Sequence, residues 1–128
     1  MNKCIFINPN SKIIKERDEI FDFYSEKCIE DYNLLLNNNN TTDANIDKAF
    51  YHQNIGDGYY VLQKFQLALK EFNKSIELCG GENECKTSIF FRNRGNCFGY
   101  LEDNKSAIKD YSKAIELSPT ISEFYNNR

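Results

Sequence analysis

Two segments of this chain are nearly the same helix written twice. Ala68–Gly80 reads ALKEFNKSIELCG, and Ala107–Pro119 reads AIKDYSKAIELSP, 39 residues later. Ala, Lys, Lys, Ile, Glu and Leu coincide at matched positions, and most exchanges are mild: Leu to Ile, Glu to Asp, Phe to Tyr, Ser to Ala. Each segment carries apolar or small residues at i, i+1, i+4, i+7 and i+8, which is one face of a helix. A repeated unit of this kind cannot bury its apolar face alone and must stack on its neighbours. No other feature restricts the fold as strongly.

An aromatic-rich segment precedes each copy: AFYHQNIGDGYYVL (Ala49–Leu62) and SIFFRNRGNCFGYL (Ser88–Leu101). Gly56 and Gly95 stand twelve residues before Ala68 and Ala107. A glycine inside a helix costs about 1 kcal/mol relative to alanine. It is explained if two helices cross too closely for a Cβ, and Ala68 and Ala107 are the expected small partners. The pattern predicts helical hairpins near 47–62 with 65–78 and near 88–101 with 104–117. The chain ends on SEFYNNR (Ser122–Arg128), which restates SIFFRNR 34 residues after Ser88. A third repeat therefore begins there and stops inside its first helix.

The second hairpin contains Phe91-x-x-Arg94-Gly95-x-x-Phe98, then Ala107-x-x-x-Tyr111, Ala114 and Pro119. This resembles the tetratricopeptide repeat, a 34-residue helix-turn-helix unit marked by W-x2-L-G-x2-Y, A-x3-F and a final Pro. The first hairpin reads His52-x-x-Ile55-Gly56-x-x-Tyr59 and Ala68-x-x-x-Phe72. It departs from the signature at His52, at Ser75 in a small position, and at Gly80 where Pro is usual. The resemblance implies an all-α fold, a short right-handed α-solenoid of antiparallel helix-turn-helix repeats. Repeats fall at 49–82 and 88–121, with a truncated one at 122–128, in a domain spanning 49–128. The five residues in excess of the period lie in CGGENECKT (Cys79–Thr87), and a surface connection tolerates them because loop-closure cost rises slowly with length.

Residues 1–48 do not match the signature. Arg17–Leu36 places Ile20, Phe21, Tyr24, Cys28, Leu35 and Leu36 on an apolar stripe, which predicts a helix near 17–36. Such a helix suits a cap over the first repeat. The tract NNNNTT (Asn37–Thr42) reads as a flexible connection.

Composition excludes several classes. The net charge of -3 lacks the basic surplus of a nucleic-acid footprint. No apolar run approaches the roughly 20 residues of a membrane helix, and Cys4–Ile7 is too short for a signal-peptide core. The expectation is a soluble protein of the cytoplasm, with the nucleus open as well. Five cysteines without a signal peptide favour free thiols. For Cys79 and Cys85 a local disulfide is open on spacing alone, and free thiols are the default. His52, the one histidine, has no nucleophile motif beside it and is expected to fill the first aromatic position of its repeat. No catalytic constellation, metal set or phosphate loop is found, and neither a cofactor nor an enzymatic activity is expected.

By resemblance, stacked repeats offer a concave groove, lined by the first helix of each pair, that binds a peptide of a partner protein. The lining implied here is Gln53, Asp57, Tyr60, Arg92, Asn93, Asn96, Tyr100 and Asn127, with Phe50, Val61, Ile89 and Glu123 beside them. For Phe50 and Ile89, local packing is an equal reading. The leading expectation is a non-catalytic protein-interaction scaffold. The alternatives are a co-chaperone adaptor for chaperone C-terminal peptides and an interaction module of a larger enzyme. The co-chaperone subgroup clamps a terminal carboxylate with Lys, Asn, Asn, Lys and Arg. Of these only Asn93 is matched, and Asp57 and Glu123 would repel the ligand. Self-association through the truncated C-terminal repeat is a further expectation.

Overall fold

The structure, a computed structural model, describes residues 12–38 and 44–118, with side chains described from residue 19 onward. Its elements are α1 (Lys12–Asn37), α2 (Asn45–Val61), α3 (Phe65–Leu78), the one-turn α4 (Gly81–Glu84), α5 (Ser88–Tyr100) and α6 (Asn104–Leu117). No strand occurs among the described residues. α2 pairs with α3 and α5 with α6, within two residues of the bounds the repeat predicts. The third-repeat residues 122–128 lie outside the described region.

Both hairpins turn the same way. α2 closes with Lys64 N–H donating to the Tyr59 carbonyl, and α5 with Asp103 N–H donating to that of Phe98. This closure needs a left-handed residue, supplied by Gln63 (φ 62°) and Glu102 (φ 63°). α6 is then started by Asp103, whose carboxylate accepts from the Ser106 N–H (3.2 Å) and hydroxyl (2.8 Å).

Gly56 and Gly95 do mark close crossings, but the neighbour is not the expected alanine. A Cβ on Gly56 would meet the Phe72 ring, and one on Gly95 would meet the Tyr111 ring and Asp110 Cβ. The aromatic four residues beyond the alanine covers the glycine in each repeat. Ala68 and Ala107 are buried nearby.

The core is two buried clusters, each drawing residues from both hairpins. Ala49 of α2, Ile76 of α3, and Phe90 and Phe91 of α5 form one buried cluster, and Ala68, Phe72 and Cys97 form another. Neither repeat could close these clusters alone.

The connection between repeats is more ordered than a plain loop. Gly80 (φ 121°) and Gly81 (φ 89°) take left-handed conformations that reverse the chain after α3. The reversal brings Cys85 back to Cys79, with Cα atoms 5.0 Å apart, and the two form a disulfide. This corrects the expectation of free thiols. Cys85 is fully buried in the shared cluster, so the bridge anchors α4 to the core.

α1 packs along α2. Ile29 and the Ser25 carbonyl approach Gly58, the Tyr32 and Tyr51 rings lie 5.6 Å apart, and the Cys28 thiol points to the Asn54 carbonyl at 3.8 Å. Of the expected stripe, Cys28 and Leu36 are half-buried, whereas Ile20, Phe21, Tyr24 and Leu35 are exposed. With 26 residues against the 17 of α2, α1 outruns its partner, and Ile20–Tyr24 are exposed among the described residues.

Candidate functional site

α2 and α5 are the equivalent first helices of the two hairpins, and they carry seven of the eight residues expected in the groove. Asn127 lies outside the described region. The structure divides the seven.

Gln53 is a correction. It is 3% exposed, with no open face to offer a ligand. Its Nε2 donates to the Ser75 hydroxyl at 2.5 Å, that hydroxyl donates to the Phe72 carbonyl at 2.7 Å, and Asn93 Nδ2 donates to Gln53 Oε1 at 2.9 Å. The side chain therefore bridges α2, α3 and α5. Ser75, where the signature wants a small apolar residue, makes this possible: a buried amide needs a partner, and the serine hydroxyl supplies it.

Asp57 and Arg92 lie near each other on the two first helices. Asp57 keeps much of its surface in solvent, yet the protein around its carboxyl removes enough water to push its pKa up to about 6, against the opposing pull of Arg92. Cys97 is pushed up to about 11 by burial and then by the Asp57 charge. Asn93 and Asn96 are half-buried. Asn93 is engaged with Gln53, and Asn96 accepts from the Tyr111 hydroxyl at 2.6 Å.

At the turn end of this face three rings meet. Phe65 and Tyr100 stack at 4.6 Å with planes 9° apart, and Tyr60 sets its edge against both, at 5.5 and 5.4 Å. Burial and a hydrogen bond with Tyr100 push the Tyr60 hydroxyl up to about 12. Tyr100 remains 63% exposed. Phe65 belongs to a second helix, and the repeat pattern gave no reason to include it. Farther along, Phe50 sets its edge on Phe90 at 4.9 Å while staying exposed, and Ile89 is exposed as well.

On another side, Arg94 occupies the position where the signature has leucine. It is buried and makes a forked pair with Asp110, Nε to Oδ2 and Nη2 to Oδ1, both 2.8 Å. Nη2 also reaches Glu82 of α4 at 2.8 Å, and Nη1 reaches Asn73 of α3 at 3.1 Å. Burial works against the guanidinium charge, but the bonds to Asp110 and Glu82 more than offset it and raise its pKa. Sequence reasoning missed these partners, because Asp110 and Glu82 look like ordinary surface acids. His52 bonds Glu71 Oε1 through Nδ1 at 2.9 Å and so joins α2 to α3, in keeping with a packing role. No group of His, Cys, Asp or Glu among the described residues is arranged to hold a metal ion, and no described helix is long and apolar enough to cross a membrane.

Paired antiparallel helices stacked on a shared core, with an aromatic ring seated on a glycine in each pair, define a helical-repeat protein. Residues 89–121 match the family model of the tetratricopeptide repeat, so this stretch of the chain carries a repeat of that family. No curated protein gave a significant match. Repeats of this family are interaction modules for other proteins.

Proposed function

We propose that this chain is a non-catalytic scaffold that holds an extended segment of a partner protein against α2 and α5. The observation that carries this reading is the open strip formed by Asp57, Arg92 and the ring cluster of Tyr60, Phe65 and Tyr100. An exposed aromatic backed by half-buried rings is a rigid anchor of the kind that dominates peptide interfaces. The mixed charge of Asp57 and Arg92 favours a segment with both a basic and an acidic group. Asn93 and Asn96 line the strip, and Asn127 would extend it one repeat further. Gln53 supports the strip from beneath.

Asp57 also weighs against capture of a chain-terminal carboxylate. The reading is tested by affinity capture from a lysate with the full chain and with Arg92→Glu/Tyr100→Ala, followed by mass spectrometry. Proteins held by the parent and lost by the variant support this face as the binding strip. If every captured protein binds both forms equally, the face is not the binding strip.

A further inference from the structure

α1 carries a second apolar row that no described residue covers. Ser25, Cys28, Ile29 and Tyr32 turn toward α2. Roughly a third of a turn away on the helix, Ile20, Tyr24, Lys27, Asp31 and Leu34 follow at spacings of four, three, four and three. That is the seam of a two-stranded coiled coil. Ile20, Tyr24 and Leu34 are 53%, 64% and 63% exposed, with Phe23 and Leu35 exposed beside them. At the middle, Lys27 Nζ and Asp31 Oδ1 lie 3.6 Å apart, both open to solvent.

The symmetry of this pattern selects its occupant. Turned end for end, the stretch Tyr24–Leu34 of this row is complementary to itself. Lys27 then meets Asp31 of a second copy, Asp31 meets its Lys27, and Tyr24 faces Leu34 at each end, with Ile20 lying beyond the symmetric stretch. A parallel pairing would set lysine on lysine and aspartate on aspartate, which is repulsive. We propose that α1 pairs antiparallel with α1 of a second copy of this chain along Tyr24–Leu34, with the Lys27–Asp31 layer fixing direction and register. Polar layers in such seams specify register at some cost in stability. The seam is about 15 Å long at 1.5 Å per residue, which places the contact in the small, weak class of interfaces. The equilibrium therefore falls in the micromolar range. This surface shares no residue with the peptide strip and does not depend on residues 119–128.

Sedimentation equilibrium of the full chain, from low micromolar to a few hundred micromolar, tests it. A monomer–dimer equilibrium is expected. Lys27→Asp should weaken dimerisation by roughly tenfold, since symmetry turns two attractive pairs into repulsive ones. Asp31→Lys should do the same. Combining them, Lys27→Asp/Asp31→Lys, should restore dimerisation to within a few-fold of the parent. Far-UV circular dichroism checks that each variant is folded. A dimer indifferent to the single substitutions, or one abolished by truncation after Ser118, overturns the proposal. A chain monomeric throughout overturns it too, and would leave the row to another protein or to residues 1–11 of this one.

Discussion

Gly56→Ala should destabilise the protein, while the equivalent Gly95→Ala should be close to neutral. Both changes relieve the glycine penalty of a helix interior, a gain of about 1 kcal/mol. What differs is the space. At Gly56 the new Cβ would lie 2.5 and 2.7 Å from Phe72 Cε1 and Cδ1. Phe72 is 0% exposed, so its ring cannot retreat without moving other core groups. Overpacking of this kind costs about 1–3 kcal/mol, and a contact this short belongs at the upper end. The net loss is about 1–2 kcal/mol. At Gly95 the Cβ would lie 3.0 and 3.1 Å from the Tyr111 ring and 3.2 Å from Asp110 Cβ. Tyr111 is 36% exposed and can slide outward by a few tenths of an ångström, straining only its bond to Asn96. Cost and gain then cancel to within about 0.5 kcal/mol. At roughly 4 °C per kcal/mol for a domain of this size, the two variants should differ in Tm by about 4–8 °C. Thermal and urea unfolding followed at 222 nm would measure this. A Gly56→Ala variant at least as stable as the parent, or less harmed than Gly95→Ala, would refute the reasoning.

Three further outcomes are expected. The folded Asp57 carboxyl titrates near 6, above its ordinary 3.8, so the fold favours the protonated form. Its contribution is full below about pH 4 and is lost as pH rises through 6, so Asp57→Asn should flatten the fall in stability over that window, measured by urea unfolding at several pH values. Asp110→Ala leaves a buried guanidinium with only Glu82 and Asn73 and should cost about 3 kcal/mol or more. Arg94→Leu/Asp110→Ala should recover most of that, and an additive double variant would contradict the burial argument. Thiol titration of the unfolded chain should find two fewer reactive cysteines without reductant than with it, since Cys79 and Cys85 are bonded to each other.

The hairpins were legible in the sequence because the same apolar spacing occurs twice, and two copies constrain each helix boundary better than one. Contacts made across the repeat were not. The glycines announced a crossing, but the alanine was the wrong partner: a large ring fills the space above a missing Cβ, and only geometry places Phe72 and Tyr111 there. The Cys79–Cys85 bridge depends on two left-handed glycines whose φ values no composition rule fixes. Gln53 was expected to face outward because its position in the repeat does. It turns inward because Ser75 offers a hydroxyl in the core. α1 misled for a different reason. Its apolar residues form two rows, and only the one facing α2 contributes to the packing seen here.

The bond from Asn93 to Gln53 and that from Arg94 to Asn73 both cross from one repeat to the next. Apolar contact alone would let two stacked hairpins tilt like plates on grease, since it has little directional preference. Hydrogen bonds weaken steeply once bent, so two of them spanning the seam act as a stiff joint with one rest angle. A solenoid built on such joints has its arc set before any ligand arrives. A segment held against α2 and α5, as proposed, would then have to match a curvature that the protein already holds, and the elastic work of fitting would fall on the guest.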